Sequence, residues 1–417
     1  MGALATKLEP FVRELDLTAE SEHFRIKYSL REKPSGRGNA SGGVCDAVMI
    51  PTILDGLERL YSKLTRPPHS RQGPVVEPQA KKTLVYVLDL AAVGPGYGWP
   101  SSDHAIDPPH PPFICLPART EHPTLDAALQ YARVAAIHEA THVFNARERP
   151  IGKFSYFLWR WLNEGMAVFL ETVLAGGCPD YLQYCLNWVD RPERPLDDPQ
   201  ACYQAAMFVR CLEKTAGEGF VSQLWTQADE EEPPVAALAR MLADEKNLVF
   251  ASASHEDLFG WVYCRDAYFL LDPTSTCFSP EVFARFGGRA VTEAFALGRG
   301  GRAAARDRLD HLGCRYYLIR PVGHVSGVEV RLTPRSTKGA GVLKAQLAVA
   351  AQDMRRGQTV LLRSQPSSAA SEPMPVAAAR LDLAAAGPID HVVLVIANCG
   401  DEAGSDGQEY GLTIKAV

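Results

Sequence analysis

Near residue 316 the hydrophobic period of this chain changes, and that change limits the available folds more than any other feature. Ahead of it, apolar residues recur at helical spacing, as at Val48, Ile53, Leu57, Leu60, Tyr61 and Leu64. Behind it they alternate, at Val328, Val330 and Leu332 and again at Leu343, Ala345, Leu347 and Val349. A helix presents one stripe at a period of about 3.6 residues and a strand one face at a period of 2, so one kind of element cannot serve both regions. Further strand-like runs occupy 359–363, 376–383, 391–398 and 410–417, separated by Pro, Gly and Ser clusters. Short strands at this spacing over about 100 residues predict an antiparallel β-sandwich, placed at 313–417.

A chain of 417 residues also exceeds what one compact core holds, so a first domain over 20–312 is expected on size alone. Phe24, Ile26 and Tyr28 alternate, and 83–90 reads as a buried strand. Pro112–Pro117 is a further short strand. Thr124 is suited to cap a long helix running to about Asn145, with Asp126 in its first turn. Further helices are expected over 160–175, from Tyr203 to just before Gly217, and over 235–244 and 256–270. The pattern is α+β: a sheet and long helix over 20–146, then a mainly helical part over 147–312.

Composition excludes several functions. A formal net charge of −6 lacks the basic surface of a general nucleic-acid binder. The basic stretch at 299–307 has no interleaved aromatics. No apolar run reaches the length of a membrane span. The first residues lack a secretory h-region, which points to a cytoplasmic protein, or a secreted one if the N-terminus has been trimmed. Ten cysteines are present without a C-x-x-C pair, so a zinc ribbon is not indicated and buried, reduced thiols are expected. The acidic loop Asp401 to Asp406 lacks calcium-loop spacing and reads as a hairpin turn.

The chemistry concentrates at Ile137-His138-Glu139-Ala140-Thr141-His142-Val143. On a helix, residues four apart project from one face, so His138 and His142 can hold one zinc ion. Glu139, beside the first ligand, can take a proton from activated water and pass it to a leaving amine. A chance match in a chain with 11 histidines is rare, roughly 1–2%. Burying two histidines and a glutamate in an Ala-rich helix costs free energy unless something satisfies them. A metzincin continuation is ruled out, since Asn145 and Glu148 stand where its glycine and third histidine belong.

The next helix opens on Trp161-Leu162-Asn163-Glu164-Gly165-Met166-Ala167. Together with the first motif it resembles the gluzincin metallopeptidases, the group containing the thermolysin and aminopeptidase N families. The overall layout resembles bacterial metallopeptidases with such a core ahead of a C-terminal β-domain. The resemblance implies a small sheet packed on the motif helix, one zinc per chain, and Glu164 as its third ligand. Glu171, two turns on, is either a partner for the outer N–H of a ligand histidine or an exposed helix residue. Tyr203, which starts a helix similar to one bearing the oxyanion donor in aminopeptidase N relatives, is a candidate donor; core packing is the alternative. His255 is a second candidate donor. The strand at 112–117 is expected to edge the cleft or else to lie inside the sheet, and His104, His110 and His122 are read as solvated loop residues. Departures exist: twenty-one residues separate His142 from Glu164, more than is usual, and Val168 stands where thermolysin-like enzymes place an acid. No G-x-M-E-N precedes the motif, which favours endopeptidase over aminopeptidase activity.

The expected function is zinc-dependent peptide hydrolysis, with a peptide or protein as substrate and no assigned ligand for the β-domain. The alternative is a non-catalytic, zinc-stabilised protein that binds a partner or glycan through that domain. A deformylase is rejected on size and on its missing cysteine-ligand motif.

Overall fold

A four-stranded sheet in the order β1 (Leu17–Glu20), β2 (Phe24–Tyr28), β3 (Thr83–Leu88), β4 (Phe113–Pro117) opens the computed structural model. The first pair is antiparallel; β2–β3 and β3–β4 are parallel. The described residues are 11–30, 47–69, 82–88, 113–118, 124–148, 153–176, 191–229, 232–244, 291–335 and 406–417, with parts of 178–190 and 343–398. The chain is α+β. It forms two compact units, Met1–Tyr181 with Glu218–Glu232 and Leu182–Gly217 with Pro233–Val417.

In the first unit, α1 (Met49–Leu64) buries Ile50, Ile53, Gly56, Leu57 and Leu60, a single stripe at helical spacing. That stripe lies on α2 (Leu125–Glu148). Gly56 lets the two helices approach closely: a Cβ would stand 3.0 Å from Arg133 Cγ and 3.6 Å from Ile137 Cγ1. The Thr124 hydroxyl accepts the Ala127 amide at 3.2 Å, which caps α2. The third helix, α3 (Lys153–Leu174), buries Trp159, Trp161, Leu162, Met166, Ala167, Val168 and Leu170, and packs on α2. Residues apolar on so many sides suit a helix enclosed by its neighbours. No helix among the described residues is long and apolar enough to cross a membrane.

The second unit holds a 3₁₀ turn (Cys202–Ala205), α4 (Ala206–Ala216) and α6 (Pro234–Asp244); α5 (Phe220–Gln227) belongs to the first unit. Its strands are β5 (Val291–Gly298), β6 (Arg302–Leu309), β7 (Cys314–Val322), β8 (Gly327–Pro334), β9 (Leu343–Gln346), β10 (Ala348–Asp353), β11 (Gln358–Arg363), β12 (Gln365–Pro366), β13 (Ala377–Asp382), β14 (Val392–Asn398) and β15 (Gln408–Ala416). One sheet runs β12–β13–β8–β15–β6 and another β5–β7–β14–β9, while β10 and β11 form a hairpin. Leu332, Leu412 and Ile414 of the first sheet and Ile319, Leu394 and Ile396 of the second belong to one hydrophobic cluster. Within it the Tyr317 and Tyr410 hydroxyls bond at 2.7 Å.

The strands start earlier than the boundary expected at 312/313. β5 pairs with β7, and β6 with β15, so 291–309 belongs to these sheets and not to a helical part. The sequence R-A-A-A-R-D-R-L of β6 alternates, but its inward positions, Ala303 and Ala305, are too small to register as a hydrophobic run. The helix expected over 256–270 lies outside the described residues. Among the described cysteines, Cys115, Cys178, Cys202 and Cys314 form no disulfide bond.

Candidate metal centre

Two histidines and one glutamate meet where α2 packs on α3. The Nε2 atoms of His138 and His142 lie 3.1 Å apart, and Glu164 Oε2 lies 3.2 Å from the first and 3.3 Å from the second. The four-residue spacing on α2 brings the rings together, at 85° between planes. Glu164, on the buried side of α3, supplies the third donor. All three side chains are buried or nearly so.

Two imidazole nitrogens and a carboxylate oxygen are thus aimed at a common point. His138 Nδ1 lies 2.5 Å from Glu171 Oε1. A carboxylate accepts only, so that nitrogen carries the proton and the neutral ring turns a lone pair at Nε2 toward Glu164. Glu164 Oε2 is buried without a formed hydrogen bond. Such an arrangement needs positive charge at its centre. Protons are one source: burial alone would push both histidines down, but the adjoining Glu164 and Glu171 carboxylates hold His138 well above its usual range, and Glu164 raises His142. Burial opposes charge on Glu164 too, and the two imidazoles hold it far below the carboxylate range.

A metal ion is the other source, and the donors fit one. His138, His142 and Glu164 form a group able to hold a cation, its donor atoms all within 4.8 Å of one another. Donors about 2.0–2.1 Å from a tetrahedral ion stand roughly 3.3 Å apart along each edge. The three separations found, 3.1, 3.2 and 3.3 Å, match one face of such a tetrahedron. Among the described residues these three supply the donors.

Glu139 lies on the same helix, only 5% exposed. Its charge acts on His138 and His142 and on Cys115 of β4. β4 ends its sheet, and its outer edge pairs with no further strand among the described residues. Tyr203 sits in the second unit, on the 3₁₀ turn, stacked on Tyr184 with centroids 5.3 Å apart. His104, His110, His122 and His255 lie outside the described residues.

One feature of the helix pair escaped sequence reasoning. Asn145, one turn past His142, donates through Nδ2 to Asn163 Oδ1 at 2.7 Å, and Asn163 adjoins Glu164. Both amides are buried. The Asn145 carbonyl, among the last four of α2 and so without a partner inside the helix, accepts the Trp225 indole N–H from α5 at 2.8 Å. The bond between the asparagines therefore fixes the register of α2 against α3 next to the donors. Buried asparagines beside each motif were the only signal for it.

No family model and no curated protein matches this chain.

Proposed function

We propose that the chain is a zinc-dependent metallopeptidase of the gluzincin type, an endopeptidase, with a β-sandwich accessory domain formed by the two C-terminal sheets. The observation that carries this reading is the near-equilateral triangle of His138 Nε2, His142 Nε2 and Glu164 Oε2, with a buried glutamate next to its first member. When bound there, zinc polarises the scissile carbonyl and makes water more acidic. Glu139 accepts a proton from the attacking water and returns it to the leaving amine. Glu171 holds His138 in the tautomer that offers Nε2. The free edge of β4 gives an extended peptide a strand to pair with.

Glu139 favours catalysis over a purely structural zinc site. A structural site has no use for a base, and closing its fourth position would take another protein ligand. The test is zinc content by mass spectrometry and casein hydrolysis, for the natural chain and for Glu139→Gln. About one zinc per chain is expected in both, with turnover of the variant lower by at least ~10²-fold. Equal turnover in the two proteins would remove Glu139 from the chemistry. A natural protein without zinc that still cleaves casein would remove the metal.

A further inference from the structure

The sheet β12–β13–β8–β15–β6 turns Val328, Val330, Leu332, Leu412 and Ile414 inward to the hydrophobic cluster. By strand alternation its other face carries Arg302, Arg306 and Arg308 on β6, Lys415 on β15, Arg331 on β8 and Arg380 on β13. Against these six cations stand Glu329, Glu409 and Asp382 on the strands, and Asp310, just past β6 and 3.8 Å from Arg308. The chain as a whole carries a formal charge of −6, so this face has the opposite sign to the molecule that bears it. Glu329 is shared by Arg380 and Lys415, each at 3.4 Å. Arg302 and Arg306 are exposed and make no ion pair among the described residues.

We propose that this face binds a linear polysaccharide bearing carboxylate or sulfate groups. Five of the six cations are arginines, whose planar fork matches such anions with two parallel hydrogen bonds. Between them the floor is small and polar. Gly411 lies opposite Arg306 on one side and Thr333 on the other, and Thr413 lies opposite Ala304 and Arg331. Nothing crowds Gly411: a Cβ there would find only the Thr333 carbonyl, 3.8 Å away. A floor of small residues with two hydroxyls leaves room for sugar rings. The described outward positions offer no apolar pockets to hold peptide side chains, and the hydroxyls of Thr333 and Thr413 among the arginines can meet sugar hydroxyls as the guanidinium groups meet the anions. The inference is independent of the metal centre.

The test uses the full chain in affinity electrophoresis through gels containing heparin, polygalacturonate or neutral dextran, with polyglutamate and DNA as rival polyanions. Retardation by heparin or polygalacturonate, and not by dextran, is expected, and it should fall steeply as salt rises. Which of the two retards more assigns sulfate or carboxylate. Arg302→Glu with Arg306→Glu should weaken binding by about tenfold or more. Arg191→Glu with Arg320→Glu, equal in charge change but off this face, should leave binding within about twofold. Should the double reversal not fold, Arg302→Ala with Arg306→Ala serves in its place. No retardation, equal weakening by both pairs of substitutions, or equal retardation by polyglutamate or DNA would each overturn the proposal.

Discussion

Two of the places where the described residues set histidine against carboxylates are built in different senses. At His138 and His142 the ring nitrogens turn toward one another and toward Glu164, so three donor atoms share a point. At His311 the ring nitrogens turn apart, Nδ1 to Asp406 Oδ1 at 2.5 Å and Nε2 to Asp197 Oδ1 at 2.9 Å. The first arrangement asks for a cation between its members. The second supplies its own, because an imidazolium donating from both nitrogens satisfies two carboxylates at once. The ingredients are alike, since His138 also spans two carboxylates, Glu171 and Glu164. What sets the first site apart is a second ring, His142, whose Nε2 joins the same point and makes a group able to hold a metal ion.

The largest effect should come from breaking the convergence. His142→Ala leaves two donors, and bound zinc should fall from about one per chain to background, while His311→Ala should leave metal content unchanged. Equal metal loss in both would erase the distinction. Next is Glu171→Gln, which keeps the shape but weakens the hold on His138 Nδ1. Zinc affinity, measured by competition with a chelator, should drop roughly 10- to 100-fold. Unchanged affinity would mean that the carboxylate does not orient the ring.

The Asn145–Asn163 bond tests whether convergence depends on helix register. Asn145→Ala leaves the buried Asn163 amide without its partner and should cost roughly 2–3 kcal/mol in urea unfolding of the metal-free protein. It should also weaken zinc binding, a readout that stability loss alone would not move once binding is measured well below the unfolding transition. Asn145→Asp restores an acceptor but not the donor that Asn163 Oδ1 requires, so it should not rescue.

These residues also show what could be read ahead of the structure. The proximity of His138 and His142 was legible because a helix converts a four-residue spacing directly into closeness, and Glu164 was expected beside them from a resemblance alone. The Asn145–Asn163 bond depends on how two helices slide against each other, which no local pattern encodes. His311 is more hidden still: its partners lie 95 and 114 residues away in sequence, so nothing near it signals a clamp. Asp406 read as part of a hairpin turn, and only the folded chain gives its carboxylate that partner. The early start of the sheets was missed for a different reason. β6 turns alanines inward and arginines outward, a correct alternation with too little apolar contrast to stand out.

The clamp makes the smallest and most pH-specific prediction. Burial alone would lower His311, but Asp197 and Asp406 outweigh it and raise its pKa from 6.5 to about 9. A histidine raised in the folded state contributes stability that is fully present below the unfolded value of 6.5 and is lost as pH climbs through about 9. Asp406 works in the other direction. Burial resists its ionisation, yet its bonds to His311 and the nearby Arg308 charge hold it below 3.8, so its share is present above that pH and fades in stronger acid. Arg308 and Asp310 also flank this turn, with Asp310 Oδ1 accepting the Gly407 amide at 3.0 Å, but neither replaces the imidazolium. The clamp should therefore be strongest between about pH 4 and 6.5. Between pH 6 and pH 9.5 the natural chain should lose about 1–2 kcal/mol in urea unfolding relative to His311→Gln, which cannot gain the charge. Parallel pH profiles for the two proteins would mean that His311 is neutral in the fold and that its two carboxylates are held by something else.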